Sequence, residues 1–320
     1  MRNRQAIVAS LDAWLGALQV GRGTAHQGMA VFPLRAPATP PLGYRTLAEA
    51  LGEGWAEARE QPAACVPELL LINHGKCLLL VLDGEEIIGG RQNRIANASV
   101  LVAAGAQIVL PVSCVEHGRW YGSTPRFAAG EAGPLRLRAA KAGQVAYSLR
   151  MEQRASADQG AIWHDLAERQ ARAQVHSDTG AMHDLYAARE AALAAYGRAF
   201  PYVEGAQGMV VALNGHVAGA DVFDQPHAAA AVWARLVRSY ALDALDGEPG
   251  MAVDQGRALR FLQRARLLRY EVYGSPGLGY DVRLEGDGMR GAALVYDGSP
   301  VHVELFRVDG EQSPASRRRG

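Results

Sequence analysis

Lysine is almost absent from this 320-residue chain, which has only Lys76 and Lys141 among its 33 basic residues. Schiff-base chemistry therefore has two candidate residues, whereas arginine is plentiful for bidentate capture of phosphate or carboxylate groups. The three cysteines, Cys65, Cys77 and Cys114, have the spacing of neither a disulfide framework nor a zinc site, which favours a reducing compartment. Basic and acidic residues balance at 33 each, so the chain lacks the positive field that non-specific nucleic acid binding requires.

Long apolar runs are also missing. No apolar stretch reaches the length of about 18 residues that a membrane-spanning helix needs, so we expect no membrane insertion. The first 20 residues resemble a signal peptide, but Asp12 interrupts their apolar stretch. Ile7, Leu11, Trp14, Leu15 and Leu18 instead fit one face of an amphipathic helix. We therefore predict a cytoplasmic protein.

The familiar catalytic signatures are absent: the chain has no Walker loop, HExxH, GxSxG or paired CxxC motif. A GxGxxG pattern occurs at Gly286, Gly288 and Gly291, between two segments that look like antiparallel strands. A dinucleotide-binding loop needs a following helix, whose N-terminus holds the pyrophosphate. We therefore interpret this pattern as a glycine-rich turn, and the sequence identifies no cofactor.

Strand-like segments separated by Asp/Asn-Gly turns dominate the chain. We expect hairpins at Asp83-Gly84, Asn214-Gly215 and Asp297-Gly298, and another that turns at Ala104-Gly105. One or two further strands are predicted over 135–150. The last third ends in four strand-like segments, which predict a β-meander.

Helical patterns are interleaved with these strands. Thr46 and Glu49 form a capping box that predicts a helix to about Arg59, and Asp224 is placed to cap another. Further helices are expected over about 158–174, from 184 to about 198, and near 253–265. The fold class is therefore α+β, with largely antiparallel hairpins, a C-terminal meander and helices packed on them. We divide the chain into an N-terminal helix (1–24), a single α+β domain (25–308) and a disordered tail (309–320); within the domain, 62–150 is β-rich, 158–200 helical and 201–308 mixed.

Polar residues are concentrated in two short segments that lie among apolar strands. The first, Gly89–Asn97, contains Arg91, Gln92, Asn93, Arg94 and Asn97. The arginines can hold an anion, and the amide side chains can bind hydroxyl groups or base edges. A phosphorylated, nucleotide-like or sugar-like ligand would suit this set. The alternative is that these groups only close a loop by pairing with one another and with nearby glutamates.

The second segment contains Ser113, Cys114, Glu116, His117, Arg119 and Trp120. Glu116 can act as a general base or can simply pair with arginine, and Trp120 beside Arg119 could stack on a base or pack in a core. Cys114 and His117 would face opposite sides of a strand, so we expect Cys114 to be a buried, inert thiol. A weaker hypothesis places a metal-dependent hydrolase site at Asp178, His183 and Asp184.

These two segments resemble a bacterial family, the ARG and rhodanese-phosphatase-superfamily-associated protein domain, first type, where ARG denotes ADP-ribosylglycohydrolase. The resemblance extends over about 25–308, and His117 stands where a glutamine-like residue is expected. The positions that match the marked motifs are Arg91, Gln92, Asn93, Asn97, Ser113, Cys114, Glu116, Gly118, Arg119 and Trp120. The resemblance implies an association with NAD and ADP-ribose metabolism, without a settled catalytic residue.

The residues and the resemblance together predict a protein that binds, and in an enzymatic version processes, an ADP-ribose- or nucleotide-like metabolite. Glu116 is the candidate catalytic base; the candidate ligand-binding residues are Arg91, Gln92, Asn93, Arg94, Asn97, Ser113, Arg119 and Trp120. The alternative is a non-enzymatic scaffold or partner-binding subunit, including a homo-oligomer, in which both polar segments stabilise the fold or an interface.

Overall fold

The computed structural model describes residues 2–61, 67–119, 124–248 and 250–308. The helices are α1 (Arg2–Gly16), α2 (Leu47–Gly52), α3 (Leu135–Glu152), α4 (Gln159–Ala173), α5 (Met182–Ala188), α6 (Glu190–Ala199), α7 (Pro226–Ala244) and α8 (Gln255–Ala265). The strands are β1 (Gln19–Val20), β2 (Thr24–His26), β3 (Met29–Arg35), β4 (Tyr44–Thr46), β5 (Ala56–Glu60), β6 (Glu68–Asn73), β7 (Leu78–Val81), β8 (Glu85–Gly90), β9 (Arg94–Ala96), β10 (Val100–Val102), β11 (Gln107–Cys114), β12 (Thr124–Ala132), β13 (Gly208–Leu213), β14 (His216–Phe223), β15 (Arg269–Gly274), β16 (Tyr280–Gly286), β17 (Met289–Tyr296) and β18 (Ser299–Arg307). The predicted α+β class is confirmed; the tail predicted to be disordered lies outside the described residues.

A nine-stranded antiparallel sheet forms the larger half of the fold. Its strands run in the order β1-β3-β13-β14-β18-β17-β16-β15, and β2 also pairs with β3. The predicted meander is confirmed as β15 to β18. The hairpins at Asn214-Gly215 and Asp297-Gly298 are confirmed too, and each has both turn residues at positive φ. The glycine-rich GxGxxG stretch is a turn between β16 and β17, as predicted.

Two smaller sheets form the other half, with strand orders β10-β7-β4 and β12-β8-β9-β11-β6-β5. The predicted Asp83-Gly84 hairpin is wrong because β7 and β8, on either side of this turn, belong to different sheets. The hairpin predicted at Ala104-Gly105 is wrong for the same reason, since β10 and β11 also lie in different sheets. These chain crossings place β8, β9 and β11 side by side.

The strands predicted over 135–150 are also wrong, because this segment is helix α3. Its alternation of apolar and basic residues looked like a strand with one solvated face. In the structure, Arg138 and Lys141 are both buried, so the basic positions of the helix do not mark a solvated face.

A buried network of charges explains this placement. The Arg138 guanidinium donates to the Asp221 carboxylate and, at 2.9 Å, to the carboxyl group of Glu304, and the Lys141 ammonium pairs with Asp83. Buried charges are stable only when they are paired and hydrogen-bonded. The network therefore fixes α3 against β14, β18 and the turn between β7 and β8.

Two cap predictions have different outcomes. The capping box of Thr46 and Glu49 is confirmed, but its helix ends at Gly52 and residues 56–60 form β5 instead of continuing to Arg59. The prediction that Asp224 caps α7 is wrong, since the N-cap is Gln225 and makes no side-chain cap. Asp224 instead accepts a hydrogen bond of 2.6 Å from the Tyr44 hydroxyl.

Candidate functional site

The two polar segments meet because their strands are neighbours. β9 pairs with β8 on one side and with β11 on the other, so the Gly89–Asn93 turn lies beside the end of β11. Gly89 and Gly90 have φ values of 137° and 57°, which favour glycine. A Cβ on Gly90 would lie 2.6 Å from the Glu60 carboxylate, so the turn is also tightly packed.

Glu116 is the side chain that joins the segments. One carboxylate oxygen, Oε2, accepts the backbone N–H of Asn93 at 2.9 Å, while Oε1 accepts Arg119 Nε at 2.9 Å and the Thr179 hydroxyl at 3.0 Å. Burial alone would raise the pKa of Glu116, but the hydrogen bonds from Arg119, Asn93 and Thr179 outweigh it and hold this pKa below its usual value. A carboxylate held ionised in this way is a weak general base.

Arg119 also hydrogen-bonds the Gly89–Asn93 turn. Its guanidinium donates to the Gly90 carbonyl at 3.0 Å and to Asn93 Oδ1 at 2.9 Å, in addition to Glu116. The Asn93 oxygen also accepts the Gly89 N–H at 3.2 Å. With 23% of its side chain exposed, Arg119 both supports the turn and reaches the surface.

Arg94, Gln92 and Cys114 form a buried layer on one face of the strands. The Arg94 guanidinium donates to the Gln92 carbonyl at 2.8 Å and lies 3.5 Å from a Glu60 oxygen. The Cys114 thiol donates to Gln92 Oε1 at 2.7 Å, and burial raises the pKa of Cys114 to about 11. The expectation of a buried thiol is therefore confirmed, because a thiol with this pKa stays protonated and unreactive at neutral pH.

Asn97 and Ser113 are a second buried pair. The Ser113 hydroxyl donates to Asn97 Oδ1 at 2.9 Å, and Asn97 Nδ2 donates to the Ala155 carbonyl at 3.2 Å. These bonds fasten the strands to the segment between α3 and α4. Both side chains therefore have internal partners in the structure as it stands.

Arg91, His117 and Arg119 reach the surface above these buried residues, and we call these three residues the rim. Arg91 is exposed, and among the described residues no carboxylate pairs with its guanidinium; its backbone N–H donates to Glu60 at 3.0 Å. His117 is exposed and packs edge-on against Trp163 of α4, with 4.5 Å between the ring centroids. Trp120, the remaining candidate, lies outside the described residues.

Comparison with known families identifies the chain. A family model, the ARG and Rhodanese-Phosphatase-superfamily-associated Protein domain, matches residues 17–306. The chain belongs to this family. Its name links it to ADP-ribosylglycohydrolases and to the rhodanese-phosphatase superfamily. No curated protein and no solved structure gives a significant match.

Sequence reasoning missed three residues of this family member that are distant in the chain and hydrogen-bond the two polar segments. Glu60, Gln159 and Thr179 come from β5, from the start of α4 and from the loop before α5. Gln159 holds both the N–H and the carbonyl of Cys114, at 2.8 and 2.7 Å. Thr179 lies 63 residues from Glu116 in the chain, so no local pattern could have revealed the contact.

The histidine and aspartate residues near α5 do not converge as the metal hypothesis requires. His176 pairs with Asp178 on the surface, Asp184 accepts from Ser177, and His183 lies 3.7 Å from the buried Glu86. Within the described ranges, no three histidine, cysteine or acidic side chains form a metal-binding group.

None of the described helices combines the length and apolar character needed to cross a bilayer.

Proposed function

We propose that this protein binds an ADP-ribose- or nucleotide-like metabolite at the rim of Arg91, His117 and Arg119. The proposal is supported chiefly by one contrast: Arg91 is exposed without a carboxylate partner among the described residues, although Glu116 and Arg119 hydrogen-bond the turn that carries it. A guanidinium on a fixed backbone loses little freedom when it binds a phosphate, which favours affinity. The family name supports the ligand class, since it refers to ADP-ribosylglycohydrolases.

The rim offers contacts for both parts of such a ligand. Arg91 and Arg119 would bind phosphate oxygens. The exposed His117 ring, which packs against Trp163, would stack on the base, since aromatic rings stack on bases of any sequence.

The buried candidates have a supporting role in this proposal. Gln92, Asn93, Arg94, Asn97 and Ser113 would fix the turn and the strand ends, so that the rim needs no rearrangement on binding. Glu116 would hold Asn93 and Arg119 in position. Its lowered pKa favours this positioning role over proton abstraction, so the proposal is one of binding, and catalysis would need other groups.

A thermal-shift screen of the full chain tests the proposal. ADP-ribose, NAD, AMP and ribose 5-phosphate at millimolar concentration are compared, and we expect at least one to raise the melting temperature. Arg91→Ala should reduce the shift without changing the melting temperature of the free protein, because the side chain is exposed. Arg198→Ala, an exposed arginine in the last turn of α6, is the matched control and should retain the shift. The absence of a shift with all four compounds would contradict the proposal.

A second candidate function is a scaffold or partner-binding subunit. It is favoured by the hydrogen bonds of Glu116, because both of its carboxylate oxygens accept from protein groups, as expected of a cluster that only stabilises the fold. The discriminating variant is Arg91→Ala, measured by light scattering and by melting temperature. A scaffold predicts a change in the mass or stability of this variant, whereas a ligand site predicts that both stay as in the wild type.

A further inference from the structure

Two adjoining cavities lie against the large sheet, the first beside α8 and the second beside α3. Their volumes are about 560 and 660 Å³, and they share Val217, Arg307 and Val308 as a common wall. Six arginines and three aspartates line them. The arginines are Arg136, Arg257, Arg260, Arg264, Arg290 and Arg307. We call the two cavities together the arginine cleft; its basic lining contrasts with the net charge of zero of the whole chain.

One face of α8 supplies the basic side of the first cavity. Arg257, Arg260 and Arg264 are three and four residues apart, so they project from the same face over a length of about 10 Å. Arg264 is paired with Asp287 at 2.7 Å. Among the described residues, neither Arg257 nor Arg260 has a carboxylate partner. Two like charges one helical turn apart repel each other, so without an anion this arrangement is unfavourable.

The floor of this cavity is apolar. Phe261 and Met289 line it and are buried, and Val217 continues the apolar surface into the second cavity. A concave site with an apolar floor and a few charged groups at its edge is typical of small-molecule sites. A flat basic surface would instead suit a membrane or an extended nucleic acid.

The second cavity adds polar groups but little negative charge. Its aspartates, Asp165 and Asp243, are both paired with Arg169, at 2.7 and 2.9 Å. Asn214 also lines this cavity, and its side-chain oxygen is buried without a hydrogen-bond partner among the described residues. Such an unpaired acceptor is costly and is satisfied when a ligand donates to it.

We propose that the arginine cleft is a second ligand site, which binds a small molecule carrying a diphosphate or longer phosphate chain. The phosphate chain lies along Arg257 and Arg260, and the rest of the molecule extends past Arg307 toward Asn214. Arg257 and Arg260 lie about 4.5 Å apart along the helix axis, so each guanidinium can hold a different phosphate of a chain of two or more. No residue of the rim lines this cleft, so the two sites do not overlap.

Calorimetric titration of the full chain with pyrophosphate and tripolyphosphate tests the proposal. We expect saturable binding, tighter for tripolyphosphate and weaker as salt concentration rises. Arg257→Gln with Arg260→Gln should weaken it by about tenfold or more, since two charge-assisted contacts are lost. Arg260→Gln alone should give a smaller loss. Arg198→Gln, which removes an equal charge from an exposed helical site, should change the affinity by less than about twofold.

The double variant separates this site from the proposed function. It should lose the polyphosphate binding and keep any melting-temperature shift that AMP or ribose 5-phosphate gives the wild type, because these compounds carry a single phosphate and would bind at the rim. Failure to bind either polyphosphate, or equal affinity in the wild type and the double variant, would overturn the proposal. The proposal would also be overturned, in favour of a nucleic acid site, if a short single-stranded DNA bound more tightly than either polyphosphate and the double variant abolished that binding.

Discussion

The Glu116 carboxylate accepts the backbone N–H of Asn93 at 2.9 Å, across 23 residues of chain. This bond joins the turn after β8 to the end of β11, and it exists only because β9 lies between those strands. Since Thr179 and Arg119 donate to the same carboxylate, one side chain sets the relative positions of three segments. The rim depends on it without Glu116 itself reaching the surface.

Removal of this carboxylate should therefore destabilise the fold. We expect Glu116→Ala to lower the free energy of unfolding by about 2–4 kcal/mol, because three donors lose a charged acceptor. Since the folded-state pKa of Glu116 is lowered, its contribution is complete above the unfolded pKa and disappears as the pH falls through the folded one. Urea unfolding at neutral and acidic pH measures this. Glu152→Ala, at an exposed position in α3, is the control, and an equal effect of both variants would contradict the assignment.

Arg138 should matter more than any residue of the rim for stability. It is 1% exposed and donates to both Asp221 and Glu304, so Arg138→Ala leaves the Asp221 carboxylate without its cation and the Glu304 carboxyl group without its donor. We expect a loss of about 3–5 kcal/mol, as is typical when one partner of a buried pair is removed. Chemical denaturation provides the value. A loss below about 1 kcal/mol would contradict this prediction, because it would mean that the buried Asp221 carboxylate does not need the Arg138 cation.

Glu304 gives a prediction of opposite sign. Burial raises its pKa to about 8, and the negative charge of Asp83 contributes in the same direction. A raised acid pKa means that the native state keeps a proton that the unfolded chain loses, so this group lowers stability as the pH rises from about 4.5 to about 8.

Glu304→Gln mimics the protonated acid and should match the wild type near pH 4.5 but exceed it in stability at about pH 8. The measurement is the difference between the two unfolding free energies across this range. Parallel curves for the two proteins would rule out a raised pKa at this position.

Gly130 of β12 should not tolerate a side chain. A Cβ there would contact a Glu86 oxygen and lie 2.8 Å from Ile88 Cδ1, and Glu86 is fully buried and has no room to move. We expect Gly130→Ala to cost about 1–3 kcal/mol. A Cβ on Gly274 of β15 would meet no atom within 4 Å, so Gly274→Ala should stay within about 0.5 kcal/mol of the wild type. Thermal denaturation of the two variants compares them, and similar stabilities would argue against close packing at Gly130.

The sequence predicted turns well but strand partners poorly. Gly84 is at positive φ, as the Asp-Gly dipeptide indicates, yet β7 and β8 separate into different sheets. The dipeptide determines local backbone conformation, whereas the pairing of strands depends on contacts between distant segments. The hairpins at Asn214-Gly215 and Asp297-Gly298 were predictable because the two strands beside each turn pair directly with each other.

The helix α3 was missed for a different reason. Periodicity assumes that charged residues face water, and Arg138 and Lys141 violate this because their partners come from the large sheet and from Asp83. The candidate site was easier, since a dense set of polar residues among strands must find partners. That Arg94 and Asn97 would be buried and Arg91 exposed could not be foreseen, because the register of β9 decides it.

Calorimetric titration of ADP-ribose into the wild-type chain and into Arg91→Ala tests the rim most directly. We predict saturable binding to the wild type and to Arg198→Ala that includes one site at the rim, and a loss of about tenfold or more in the affinity of that site for Arg91→Ala, with the same melting temperature for all three free proteins. Equal affinity of Arg91→Ala and the wild type would contradict the account, because the rim would then not be where the ligand binds.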